Sequence, residues 1–125
     1  MMQGFISGDR EAVLPLRVRG PGGREETVEA VIDTGFNGYL TLPISLLSDL
    51  ALPFAGTTQA MLGDGSTVRM DVHEATVLWD NQERMVLTLA SESGVLVGMS
   101  MLFGYRVTLD MRAGGAVRIE ALPKT

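Results

Sequence analysis

Ala30-Val31-Ile32-Asp33-Thr34-Gly35 ends an apolar run on a carboxylate, a hydroxyl and a glycine. Aspartate is a poor strand residue, and a carboxylate removed from water costs several kcal/mol unless it is paired or shares a proton. The tripeptide has an ordinary reading as a turn closed by a hydrogen bond from the backbone to the Asp33 side chain. Its other reading is chemical, an acid placed at the end of a rigid strand. Upstream, Glu25 to Ile32 alternates as a strand does, with Val28, Ala30 and Ile32 on one face and Thr27, Glu29 and Val31 on the other. Before it, Gly20-Pro21-Gly22-Gly23 is a turn, and Val13 to Arg19 reads as the preceding strand.

Downstream the same grammar continues. Gly38 to Leu42 is a short strand, and Pro43 opens one or two helical turns over Ile44 to Leu50. Thr57–Leu62 and Ser66–Leu78 flank Gly63-Asp64-Gly65, a hairpin signal, and Asp80-Asn81 marks a second hairpin turn leading into Met85–Leu89. Val95–Val97 is a short buried strand, Met99–Phe103 a short helix, and Arg106–Asp110 and Val117–Glu120 are closing strands, the last with the alternation of an exposed or paired edge. Short β-prone runs punctuated by glycine predict an all-β barrel or sandwich.

The 125 residues make one domain, 1–125. With 10 Lys+Arg against 15 Asp+Glu, the chain lacks the basic footprint of a nucleic-acid binder. It has no cysteine and a single histidine, His73. Disulfide scaffolds, thiolate metal sites and cysteine nucleophiles are therefore excluded, and no metal or cofactor is expected. His73 itself reads as an exposed strand residue and Trp79 as a packing residue. The first ten residues lack the pattern of a targeting segment, and the most apolar stretch, Gly94–Gly104, is about half of what spans a bilayer. The default expectation is a soluble, cytoplasmic protein with no membrane partner.

Three segments, in order, carry a resemblance: Val31-Ile32-Asp33-Thr34-Gly35, Leu62-Gly63-Asp64-Gly65-Ser66, and Val95-Leu96-Val97-Gly98-Met99-Ser100-Met101-Leu102. They resemble the catalytic motif, the flap hairpin, and the hydrophobic-hydrophobic-glycine segment with its helix in the retropepsin-like aspartic proteases. The run Phe36-Asn37-Gly38-Tyr39-Leu40-Thr41-Leu42-Pro43 makes the small bacterial and archaeal homologues of that clan the nearest comparison. The resemblance spans a core of residues 13–110. It implies a single-lobe closed barrel with a flap hairpin and a short helix near the C-terminal end. It also implies an endopeptidase cleaving peptides or unfolded protein. Two carboxylates then hold one water and share a proton, because like charges that close cannot both ionise.

The chain contains one Asp-Thr-Gly, so the resemblance implies a homodimer with Asp33 supplied by each subunit. Thr34 would bond the partner's backbone, and Gly35 would let the substrate backbone approach. Phe36, Asn37, Leu62, Gly63, Asp64 and Gly65 would face the substrate, and residues 111–125 are a candidate for the dimer interface. The sequence also departs from the viral pattern. Phe36 stands where a small residue is usual, Asn37 and Met99 stand where viral members place an acid and an arginine, and Asp64 puts a charge at the flap tip. The alternative reading is a catalytically silent dimer of the same fold that binds peptides or serves in assembly.

Overall fold

A computed structural model describes residues 1–61 and 64–124. Among the described residues ten strands form one sheet: β1 (Met2–Ile6), β2 (Ala12–Arg19), β3 (Glu25–Ile32), β4 (Leu40–Leu42), β5 (Phe54–Met61), β6 (Thr67–Trp79), β7 (Gln82–Ala90), β8 (Leu96–Val97), β9 (Tyr105–Leu109) and β10 (Ala116–Ala121). Two short helices interrupt them, α1 (Ile44–Asp49) and α2 (Met99–Leu102). The expected all-β class is what the chain adopts. Among the described residues no helix is long and apolar enough to cross a membrane.

The sheet closes on itself. Strands run β6-β7-β4-β8-β3-β2, and β2 then pairs with β6, completing the ring. β2 manages this by dividing its outer edge. Ala12 and Val13 pair with β1, whereas Arg17, Val18 and Arg19 pair with Leu78, Val77 and Thr76 of β6. Pro15 falls in the gap between these pairings, where a missing N–H costs no ladder bond. Inside the ring lie the fully buried Leu14, Leu16, Val18, Leu40, Leu42, Val77, Val97 and Met101, with Trp79 edge-on to Tyr105 at 5.7 Å. The buried hydroxyls are satisfied: Thr41 Oγ1 donates to the Gly94 carbonyl and accepts from the Leu96 N–H, and Thr88 Oγ1 donates to the Leu40 carbonyl.

Two arms leave the barrel. One is the hairpin β5–β6, whose strands pair from Thr57↔Asp71 to Met61↔Thr67. β6 is long enough to serve both purposes: its second half carries the buried Ala75, Val77 and Trp79, and its first half runs out into the arm. The other arm is a flange, β1-β10-β9. Asp80 and Asn81 hold the left-handed conformation that a two-residue hairpin turn demands, with φ 53° and 63°.

One strand escapes the sequence reading and two expectations need correction. β1 was not legible as a strand, yet it pairs with β10 from Met2↔Ile119 to Phe5↔Ala116. β10 is not an edge strand: β1 takes one of its sides and β9 the other. Its backbone is therefore engaged on both sides within the chain. His73 is half-buried rather than exposed. It sits edge-on to Phe54 at 5.7 Å, with a buried Nδ1 that has no partner.

Candidate active site

Asp33 follows β3 directly, and its position is set by β8. The strands are parallel, Val31↔Leu96 and Ile32↔Val97, and the Asp33 N–H donates to the Val97 carbonyl at 2.9 Å. The chain then turns sharply. The Gly35 N–H donates to Asp33 Oδ1 at 2.9 Å and the Phe36 N–H to the Asp33 carbonyl at 3.2 Å. The side-chain-closed turn and the acid at a strand end are thus the same object. Oδ2 has no partner within the chain among the described residues. Asp33 is half-exposed, while Thr34 and Gly35 are exposed.

The turn is locked from below by the segment around Gly98. Gly98 N–H donates to the Tyr39 carbonyl, Met99 N–H to the Phe36 carbonyl at 2.8 Å, and Ser100 N–H to the Gly38 carbonyl at 3.1 Å. Ser100 Oγ adds a bond to the Asn37 carbonyl at 2.5 Å. The first turn of α2 thus spends its free N–H groups on the loop that carries Asp33. This requires contact closer than any side chain allows. A Cβ on Gly98 would lie 2.3 Å from the Gly38 oxygen, 2.7 Å from the Phe36 oxygen and 2.6 Å from the Phe36 ring. Gly98 accordingly admits the Asp33 loop.

Phe36, the bulky departure after the motif, packs its ring over Gly38 and Gly98 and lines the cleft. Gly35 lacks a positive φ, and a Cβ there would meet only Asp33 Oδ1, at 3.3 Å. Its missing side chain leaves the space above the turn open. Asn37 and Met99 do not form the acid–arginine clamp of the viral pattern. The work of tying the loop to the helix falls to the Ser100 bond and to Arg84, which the sequence did not single out. From β7, Arg84 donates to the Met101 carbonyl at 3.1 Å, and its guanidinium lies 5.4 Å from the centre of the Tyr39 ring. One cation thus grips the end of α2 and the end of the Asp33 loop together.

The loop and the hairpin arm enclose a cleft of about 550 Å³. Gly35, Phe36 and Asn37 line one side, Ala60 and Met61 of β5 another, and Val72, Leu87 and Leu89 the rest. Asp33 and Thr34 line the neighbouring groove of about 410 Å³, which they share with Leu109 and Met111. Asp33 thus lines the second groove, and Gly35, two residues on, lines the cleft.

Of the expected flap residues, Leu62 and Gly63 lie outside the described residues. Gly65 takes φ 87°. Asp64 turns back on its own loop, accepting from the Ser66 N–H at 2.9 Å and from Ser66 Oγ at 2.6 Å. Those bonds, the hydroxyl's first, hold its carboxyl below the usual aspartate range. Among the described residues no group of three His, Asp or Glu side chains gathers in a metal-binding arrangement.

No family model and no curated protein matches the chain in sequence. Among solved structures, the chain is similar to the solution structure of the simian foamy virus (mac) protease. The identity is 22% and the TM-score 0.49, over 70% of this chain and 90% of that one.

Proposed function

We propose that the chain is an aspartic endopeptidase of the retropepsin type, active as a homodimer with one Asp33 from each subunit. The observation that carries this reading is the mounting of Asp33. Its backbone is pinned to β8, one carboxylate oxygen is held by the Gly35 N–H, the other is left without a partner, and a cleft opens directly beyond Gly35. A carboxylate that served only a turn would have no need of a loop sewn to α2 by four further hydrogen bonds.

In the dimer the two Asp33 carboxylates hold one water and share one proton. The ionised member takes a proton from the water as it attacks the scissile carbonyl, and the protonated member donates to the carbonyl oxygen. Collapse of the tetrahedral intermediate breaks the C–N bond, and the amine leaves with a proton from the dyad. The apparent pKa values belong to the pair rather than to either residue. Substrate lies extended in the cleft against β5, whose backbone can pair with it as a further strand. Apolar side chains fit beside Phe36, Leu87 and Leu89. Thr34, exposed and without a side-chain hydrogen bond among the described residues, faces the partner.

Asp33→Asn is the test. Cleavage of unfolded protein should fall by about a thousandfold or more while the dimer persists, and specific activity of the unaltered protein should drop on dilution. Cleavage at the original rate after that substitution would sink the proposal.

A further inference from the structure

A tight turn from Ser7 to Glu11 joins β1 to β2. The Ser7 N–H donates to the Glu11 carbonyl at 2.9 Å, the Arg10 N–H to the Ser7 carbonyl at 3.0 Å, and the Glu11 N–H to Ser7 Oγ at 3.2 Å. This closure puts Arg10 in the left-handed region, at φ 66°. Glycine suits such a position, and an arginine there is strained. The turn between β9 and β10 shows the ordinary solution, since its left-handed place, φ 75°, is taken by Gly114. A strained residue that is kept directs attention to what its side chain does. Arg10 lines two adjoining hollows. One is the groove of about 410 Å³ that holds Asp33, and the other is a pocket of about 380 Å³ with Ser7 and Arg112 on its walls. Met111 also lines both, so the pocket opens from the Asp33 groove. The turn that carries Arg112 is tied to the end of β1, with the Gly114 N–H on the Ile6 carbonyl and the Ile6 N–H on the Gly115 carbonyl, each at 2.9 Å. Neither Arg10 nor Arg112 has a carboxylate partner among the described residues. No acid lines the pocket, although the chain carries a net charge of -5.

We propose that this pocket is a subsite for an acidic side chain of the peptide substrate, held between Arg10 and Arg112. Two like charges bordering one pocket repel each other, and a carboxylate between them replaces that repulsion with charge-assisted hydrogen bonds to both. The continuity with the Asp33 groove selects a peptide as the occupant. An extended chain passing Asp33 runs on past Arg10 and Met111, and alternate side chains along it point the same way. The groove itself holds the acids Asp33 and Glu11, which repel a carboxylate placed right beside the cleaved bond. The pocket, which no acid lines, receives it further along. The proposal rests on the reading of Asp33 as the catalyst and names the substrate class: peptides with Asp or Glu a short way to one side of the cleaved bond.

The full chain is tested on a peptide library made from an unfolded protein extract, with the cut ends read by mass spectrometry. Asp and Glu should exceed Asn and Gln about tenfold at one position to one side of the cut. Arg10→Gly and Arg112→Gln should each erase that preference. Arg10→Gly should also hold or raise the urea midpoint, because glycine relieves the strain at φ 66°. Lost preference with undiminished stability separates recognition from a structural role. Cuts without an acidic preference, a preference that survives both substitutions, or an Arg10→Gly protein that is less stable overturns the subsite and leaves Asp33 as the catalyst. Calorimetric titration with inorganic phosphate covers the remaining occupant: phosphate binding that Arg112→Gln abolishes, without an acidic preference in the cuts, assigns the pocket to a free anion and overturns the peptide subsite. An unaltered protein that cuts nothing in the library overturns both the subsite and the reading of Asp33.

Discussion

The loop 33–39 and the hairpin β5–β6 face each other across the cleft and differ in how their backbones are held. The loop's carbonyls at Phe36, Asn37, Gly38 and Tyr39 all accept hydrogen bonds from the segment Gly98–Ser100, and the packing at Gly98 leaves no room for one more carbon. The hairpin has its cross-strand ladder and little else. Phe54, Met61 and Val68 are exposed, and a Cβ on Gly56 or Gly65 would meet nothing within 4 Å. Local stability follows buried contact, so the loop is expected to open only with the barrel, and the paired strands β5 and β6 to part at lower cost. On the proposed reading, a carboxylate that holds a water in one geometry belongs on the first kind of structure. On the proposed reading, a cover that admits and releases a chain belongs on the second.

Glycine substitution tests this contrast most severely. Gly98→Ala should cost about 3 kcal/mol, because the new Cβ strikes two backbone carbonyls that cannot move without releasing Asp33. Gly65→Ala should cost about 1 kcal/mol, the penalty of a left-handed residue with free space around it. Urea unfolding of the two proteins would measure both, and equal losses would erase the distinction between the two walls. Arg84→Met comes next, at about 1–2 kcal/mol for the lost Met101 bond and the Tyr39 contact. Its signature is a fall in kcat with KM held, since the Asp33 loop loosens while the cleft walls stay in place.

The smallest effect is local to the tip. Asp64 is held ionised by Ser66, so its carboxyl titrates below the ordinary aspartate range. A lowered folded-state pKa means that the turn's contribution is fully present above the unfolded value and is lost as pH falls through the folded one. Ser66→Ala should move the Asp64 midpoint, followed by carbon-detected NMR, back up toward the ordinary value without changing global stability. An unmoved midpoint would show that the tip is not held by that pair.

Much of this was legible along the chain because it is local. The alternation from Glu25 to Ile32, the Asp80-Asn81 turn and the helical spacing after Pro43 each express backbone preferences of neighbouring residues. The Asp33 turn was legible as well, down to the choice between a closed turn and a mounted acid, which the molecule answers with both. Arg84 could not be found this way. An arginine in an alternating strand is an ordinary solvated residue until α2 and Tyr39 are brought against it. β1 escaped for the same reason: Met2 to Ile6 has a glycine at its centre and a weak pattern, and it becomes a strand because β10, more than a hundred residues away, supplies its ladder.

By itself, then, the sequence determined most of the elements, their turns, and the presence of an acid at the end of β3, since these depend on residues a few positions apart. It also determined that the chain carries one Asp-Thr-Gly and not two. Only the tertiary structure decided how the barrel closes, because β2 must divide its edge between β1 and β6 around Pro15. It decided as well that β10 is consumed within the chain and that β9 is left open. Strand pairing is a contest among distant segments for the same hydrogen-bonding edge, and no local pattern records the winner.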